Sequence, residues 1–321
     1  MTLLAYDGHF PRRTIWQKSA IPYSGPDALV LDLTNGSVSL GAKLLGSVAL
    51  PLPTRRFAFQ LELSDDDGTS LSRMTGHYLP AKTDSVGESY YRGDDYVDYE
   101  AQARGEVSEV FRLLDQHGAP DPILEVGAAT GLMLEQLEKA GRNVTGVDFS
   151  AWAVGQAARR LGPDKVLMAN VEDDPLPPIV DARGPFATLL LWAVLEHFHD
   201  PFAVLSKLTR HLTPDATLII NTTNSASLSH QLFGDDWEGY FDWTHHGVDK
   251  VSVESLRREL PLLGWNIEAM YTHSFWHAGA DPDHAVLRDT FVNDARFSRL
   301  LRSHDLGDFL VCVARRIPPA T

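Results

Sequence analysis

The chain has 321 residues, with 28 Lys+Arg against 43 Asp+Glu and a formal charge of −15. At roughly 150 residues per domain this length corresponds to about two domains, and 44% apolar with 22% charged residues is the make-up of a chain that buries a sizeable core. Residues 1–80 are charge-balanced, while 81–120, 121–225 and 226–321 carry −5 each, so no basic stripe exists to displace counterions from phosphates and nucleic acid is not an expected partner.

The first 80 residues read as β. Leu29-Val30-Leu31-Asp32-Leu33 and Ser37-Val38-Ser39-Leu40 flank Thr34-Asn35-Gly36, and Asn-Gly between apolar runs signals a hairpin because both central positions need φ > 0. Phe57 to Leu63 alternates with period two, Asp65-Asp66-Asp67-Gly68 turns, and a return strand runs from Leu71 to Tyr78. The expectation is a small antiparallel accessory domain over 1–80, suited to packing or to a homodimer contact. Residues 81–100 are polar and acidic with Tyr90, Tyr91, Tyr96 and Tyr99. Glu100 to His117 then reads as an amphipathic helix, with Val107, Val110, Phe111 and Leu114 on one face, stopped by Gly118 and Pro120.

From 121 onward strand, turn and helix alternate. Strands are expected at Ile123–Val126, Val144–Val147, Val166–Met168, Ala187–Leu191 and Thr217–Ile220, with helices at Leu132–Ala140, Ala151–Leu161 and Pro201–His211. Such alternation implies a parallel sheet with right-handed crossovers, a doubly wound α/β domain. The last quarter adds a helix at Ser255–Leu263 and strands at Asn266–Tyr271 and Phe309–Ala314. The one cysteine, Cys312, lies in that last strand, where a nucleophile or ligand role is not expected. No apolar stretch approaches the ~20 residues of a membrane span, and no basic stretch precedes an apolar run at the N-terminus. The expectation is a cytoplasmic protein with no membrane partner.

The stretch that carries chemistry is Ile123-Leu124-Glu125-Val126-Gly127-Ala128-Ala129-Thr130-Gly131, a strand entering a small-residue turn that opens a helix. Gly127 permits the turn and leaves no Cβ against a ligand, and Gly131 admits a ligand to the helix N-terminus with its unpaired N–H groups. The second strand ends at Asp148, whose carboxylate suits a ribose diol. A dinucleotide fingerprint wants glycine at 127, 129 and 132, and only Gly127 matches. The alternating pattern Glu125, Gly127, Ala129, Gly131 departs from acidic-x-Gly-x-Gly-x-Gly at Ala129 alone.

On these residues the segment from Ile123 to about Ile220 resembles class I S-adenosylmethionine-dependent methyltransferases. Glu125 to Gly131 matches their glycine-rich first motif, and Gly146-Val147-Asp148-Phe149-Ser150 matches the second strand with its acid. Ala169-Asn170-Val171-Glu172-Asp173 before Leu176-Pro177, and Leu191 to His197 before Asp200-Pro201, match the next two segments. A looser likeness, through Asn224, Leu228, Trp237, Gly239, His246 and Ser255-Leu256, extends to enzymes of the ubiquinone pathway and of sugar or natural-product modification.

The resemblance implies a Rossmann-like, mostly parallel seven-stranded sheet over 121–321, a lid loop at about 225–250, and a segment 81–120 that covers the cofactor. It implies S-adenosyl-L-methionine as cofactor and S-adenosyl-L-homocysteine as product. Glu125, Gly127, Ala128 and Gly131 line the methionine part, Asp148 holds the ribose, and Phe149, Asn170 and Val171 meet the adenine. Trp192 stands near the sulfonium, and Tyr91 or Tyr99 reaches the cofactor from the covering segment. The acceptor is a small molecule methylated on oxygen, carbon or amine, since the Asn/Asp-Pro-Pro-Tyr signature for base and glutamine amino groups is absent after the fourth strand.

Methyl transfer to an acceptor that carries a proton calls for a base. His245 and His246, in the aromatic-rich stretch 234–247, and His197 are the candidates, because imidazole titrates near neutrality. No metal is expected: His197-x-His199 with Asp200, and His273-x₃-His277 with His284, contain ligand types, but neither forms a zinc pattern and no cysteines support one. Two further readings stand beside the methyltransferase: an NAD(P)-dependent oxidoreductase, and a catalytically inactive cofactor-binding partner subunit.

Overall fold

The computed structural model describes the backbone of seven strands within residues 2–78, and residues 86–88, 90–94, 99–173, 175–234, 237–240, 242, 244–274 and 294–318. Chain contacts divide it into two units, Met1–Thr83 with Phe233–Trp243 and Trp276–Asn293, and Asp84–Leu232 with Thr244–Phe275 and Asp294–Thr321.

In the first unit, β1 (Thr2–Asp7), β2 (Arg13–Lys18), β6 (Phe57–Ser64) and β7 (Ser70–Tyr78) form an antiparallel sheet in the order β2-β1-β6-β7. A second sheet joins β3 (Leu29–Asp32), β4 (Ser37–Leu40) and β5 (Lys43–Ser47). β3 pairs with β4, Asp32 opposite Ser37, with Thr34-Asn35-Gly36 outside the described residues, and Phe57–Leu63 pairs with the return strand as its alternation predicts. Strands β1, β2 and β5 are additions to the sequence reading.

The second unit is a seven-stranded sheet built from β8 (Ile123–Val126), β9 (Val144–Asp148), β10 (Val166–Met168), β11 (Phe186–Trp192), β12 (Leu212–Thr223), β13 (Trp265–His273) and β14 (Phe309–Arg316). Its order is β10-β9-β8-β11-β12-β14-β13. Strands β8 to β12 pair in parallel, and β14 runs antiparallel to both neighbours. From β8 the chain winds outward through β9 to β10, then returns to β11 on β8's other side. A crevice therefore opens beyond the C-terminal ends of β8 and β11, where ligands bind in such sheets.

Both faces of the sheet are covered, which is why β8, β9 and β11 are buried at every position. One face packs α1 (Tyr99–Gln116), α2 (Leu132–Lys139) and α3 (Ala151–Leu161) through Val110, Leu113, Leu114, Leu134, Leu137 and Ala157. The other packs α4 (Pro178–Arg183), α5 (Pro201–Leu208) and α7 (Val253–Leu262) through Val180, Val204, Leu205, Leu208, Leu256 and Leu260. Ser150 caps α3, Asp200 caps α5 just ahead of Pro201, and Ser252 with Ser255 forms a capping box on α7. Helices α4, α6 (Leu228–Phe233) and α8 (Ala295–Ser303) escape the sequence reading. The stretch 225–250, expected as a loop, thus contains α6 and short helical turns at Glu238–Tyr240 and Val248–Lys250. The helix expected over 201–211 stops at Leu208 and tightens into a 3₁₀ turn to His211. Strand β12 runs three residues past Ile220, through Asn221, Thr222 and Thr223, because burial by neighbouring elements outweighs their polar character.

Gly146 of β9 sits under α2: an added Cβ would lie 2.4 Å from Leu134 Cδ1 and 2.7 Å from the Ala128 Cβ. Gly146→Ala is expected to destabilise the protein by about 1–3 kcal/mol through overpacking, read as a lower midpoint in urea denaturation.

Candidate functional site

The chain leaves β8 at Gly127 with φ +76°, passes Ala129 at φ +46°, and enters α2 from Gly131 at φ +74°. Three left-handed residues in five fold the turn back on itself. Glycine adopts that region at no steric cost, and alanine does so against about 1–2 kcal/mol. Asp148 holds Ala129 there. Its Oδ2 accepts the Ala129 N–H and its Oδ1 the Ser150 N–H, both at 2.8 Å. One carboxylate therefore ties the turn after β8 to the turn after β9.

The two glycines also meet a packing constraint. A Cβ at Gly127 would lie 2.5 Å from Val194 Cγ2, and one at Gly131 would lie 2.9 Å from Leu161 Cδ1. Both spaces are taken by protein side chains, so the turn is packed from behind as well as bent.

Glu125 and Asp148 are both buried at this edge. Burial, with the Asp148 charge added, pushes the Glu125 carboxyl up to about 8. Burial likewise raises Asp148 to about 6, against the pull of the Ser150, Ala129 and Phe149 N–H groups. Glu125 Oε2 has no hydrogen-bond partner among the described residues. A buried carboxyl with an open oxygen is a place for a cationic or hydrogen-donating ligand group.

The other expected contacts fall around this pair in different ways. Ala128 and Val171 are buried beside it in the sheet's two cores. Phe149 is 50% exposed, which removes core packing as its role and leaves its ring at the surface next to Asp148. Asn170 departs from expectation: its Oδ1 accepts the Glu172 N–H at 3.1 Å and its Nδ2 donates to Asp173 at 2.8 Å. The side chain that was to meet adenine organises its own turn, as Asn does when backbone groups lie two residues away. Trp192, at the C-terminal end of β11, donates its indole N–H to Glu106 of α1 at 2.5 Å.

The covering segment is anchored on this edge. Ser150 Oγ donates to the Val86 carbonyl at 2.5 Å. Tyr91 stacks on Trp152 at 5.2 Å and meets Tyr90 and Tyr99 edge-on at 5.1 Å. Val86, Tyr90 and Tyr91 are buried, so the strap is packed where it is described. Tyr96 lies outside the described residues.

Of the histidines, His197 Nδ1 is 2.6 Å from Thr244 Oγ1, whose oxygen also lies 3.4 Å from the Tyr90 hydroxyl. The His197 and His245 rings meet edge-on at 4.7 Å. His246 is exposed and stacks on His199 at 4.2 Å. Gly247 donates its N–H to the Glu196 carbonyl at 2.9 Å, which fixes the loop against the turn after β11. Glu196, His197 and His245 bring ligand-type atoms within 4.8 Å of one another, a grouping invisible in the spacing because His245 is 48 residues from His197. Glu196 Oε2 already accepts the Thr222 hydroxyl at 2.9 Å. His277 and His284 lie outside the described residues.

A family model described as a methyltransferase domain matches residues 99–270, just over half of the chain. The chain belongs to this methyltransferase family. With that, the nicotinamide-dependent oxidoreductase reading is set aside. Among curated relatives, the ubiquinone biosynthesis O-methyltransferase of Actinobacillus pleuropneumoniae serotype 7 is 26% identical over 34% of this chain and 49% of its own length. The ubiquinone biosynthesis O-methyltransferase of Rhodopseudomonas palustris strain TIE-1 is 30% identical over 32% of this chain and 40% of its own. The chain thus spans about half or less of the curated relatives it matches. Among solved structures, a SAM-dependent methyltransferase from Archaeoglobus fulgidus aligns with a TM-score of 0.49 at 15% identity, covering 71% of this chain and 100% of that one.

The raised carboxyls give a pH signature. Folded Glu125 keeps a proton that the unfolded chain releases near 4.5, and Asp148 shifts in the same direction. Stability of the ligand-free protein is then full below the unfolded values and falls as pH rises toward about 8. Urea titrations from pH 5 to pH 8 are expected to show a declining midpoint, and Glu125→Gln is expected to flatten the decline.

Proposed function

We propose that this methyltransferase uses S-adenosyl-L-methionine as donor and methylates an oxygen of a small-molecule acceptor, with S-adenosyl-L-homocysteine as product. The observation that carries the donor assignment is the pair of buried carboxyls at the ends of β8 and β9, one of them with an oxygen left open. The donor presents an ammonium group and a ribose diol, which are the charges and hydrogen-bond donors such a pair requires. Bound there, it supplies a methyl carbon already attached to a sulfonium leaving group.

The chain's own residues then have separate tasks. Glu125 receives the ammonium on Oε2 and ionises as it does so. Asp148, held by the Ala129 and Ser150 N–H groups, keeps lone-pair capacity for the ribose. The exposed Phe149 ring and the buried Val171 flank the adenine. Trp192, fixed by Glu106, walls the reacting end, and the strap bearing Tyr90 and Tyr91 excludes water from it. Oxygen is preferred as the acceptor atom because the curated relatives are named O-methyltransferases. A natural-product intermediate is the acceptor class suggested by the likeness of 221–256 to sugar- and natural-product-modifying enzymes.

Calorimetric titration with S-adenosylhomocysteine tests the reading. Binding is expected in wild type and lost in Asp148→Ala. At pH 7 it is expected to release a proton, seen as a heat that varies with the buffer's ionisation enthalpy, and Glu125→Gln is expected to abolish that release. Absence of S-adenosylhomocysteine binding to wild type would sink the donor assignment. Binding with no methyl transfer to any acceptor would favour the inactive partner subunit.

A further inference from the structure

The acceptor side of the sheet holds a second cluster of titratable and hydrogen-bonding side chains that the donor site does not use. Register aligns Trp192 of β11 with Asn221 of β12, Asn221 with Val311 of β14, and Val311 with Tyr271 of β13. Residues paired across strands point to one face, and here it is the face under α1: Glu106 takes the Trp192 N–H, and Glu109 takes the Tyr271 hydroxyl at 2.5 Å. The next row toward the strand ends on the same face is Thr223, Phe309 and His273.

His273 stacks on Phe309 at 5.7 Å. Its Nδ1 lies 3.0 Å from Ser274 Oγ, and its Nε2 lies 3.4 Å from Asn221 Nδ2. An amide nitrogen only donates, so the network assigns the proton to Nδ1 and the lone pair to Nε2. The contact to Asn221 is long, which leaves that lone pair weakly engaged. Thr223 on the same row is fully buried, and its hydroxyl has no hydrogen-bond partner among the described residues. Asn221 stands on the strand next to Trp192, about 4.8 Å away, so the cluster begins one strand from the wall of the donor site.

We propose that His273 is the general base for a hydroxyl acceptor, taking its proton on Nε2 while Asn221 and Thr223 hold the acceptor oxygen. The assignment rests on the donor reading above. The acceptor's O–H bond breaks, with the proton passing to Nε2. The oxygen's electron pair forms the new bond to the methyl carbon. The carbon–sulfur bond breaks, with its pair retained on sulfur, and the imidazolium returns its proton to solvent. Burial lowers the His273 pKa from its ordinary value, so the ring is neutral and able to accept near pH 7. The charged groups around it are Glu109, which opposes that shift, and Arg302, which adds to it. Glu109 itself is bound by Arg112 and by the Tyr271 hydroxyl.

The test compares wild type with His273→Gln on two probes, catechol, protonated at neutral pH, and 4-nitrocatechol, largely ionised there. Transfer from methyl-labelled S-adenosylmethionine is followed. Expected is a loss of about a hundredfold or more with catechol, a far smaller loss with 4-nitrocatechol, and unchanged affinity for S-adenosylhomocysteine. Equal losses on both probes, no loss, or the selective loss appearing in His245→Ala instead would overturn the proposal. Nitrogen-15 NMR of the imidazoles decides it without turnover: Nε2 unprotonated at pH 7 upholds it, and Nε2 protonated there overturns it. Failure of wild type to bind S-adenosylhomocysteine is a separate result, which removes the donor reading rather than the role of His273.

Discussion

The Asp148 carboxylate is the joint on which this half of the molecule turns. It lies buried at the end of β9 and accepts the N–H groups of Ala129 and Ser150. The first of these bonds is possible only because the chain after β8 is left-handed at 127, 129 and 131. The second starts α3, whose cap Ser150 also reaches the Val86 carbonyl of the strap. Removing this carboxylate would free two buried backbone donors at once, each worth about 1–3 kcal/mol when orphaned.

Around that joint the protein tolerates an electrostatic arrangement that works against its own stability. Two carboxyl groups are buried close enough for one charge to raise the other's pKa. Burying two acids at one edge costs the folded chain stability near neutral pH, a cost that the N–H groups bound to Asp148 offset only in part. Their persistence makes sense for a site that waits for a cation and a diol. Both groups of side chains sit on one face of the sheet, the face under α1, α2 and α3. There β8 and β9 carry the raised carboxyls, while β12 and β13 carry an amide, an imidazole with a lowered pKa and a hydroxyl with no partner among the described residues.

Much of the fold was legible because apolar periodicity follows burial. The helix Ala151–Leu161 and the strand Val166–Met168 fall where the sequence places them, and the run at 186–192 is a strand covered on both faces. Strand β12 was cut short by reading Asn221-Thr222-Thr223 as a strand end, although all three are buried. Polar residues in a buried strand carry no periodic signal, and these include two that form the acceptor-side cluster. Glu106 looks like a surface residue until α1 is docked on the sheet, and His273 stands out in the sequence only for its spacing to His277 and His284.

The sequence alone determined the donor motif, the order of the five parallel strands from Ile123 to Ile220 with the helices α2, α3 and α5 between them, and the family, because each depends on neighbours along the chain. Tertiary structure alone decided what surrounds those residues. It filled the space behind Gly127 and Gly131 with Val194 and Leu161. It took the Asn170 amide for its own turn, left Phe149 exposed, and brought His245 to His197 and His273 to Asn221 across 48 and 52 residues. Those outcomes rest on which strands pair and which helix lies over them, and no local pattern encodes a register between strands separated by long crossovers.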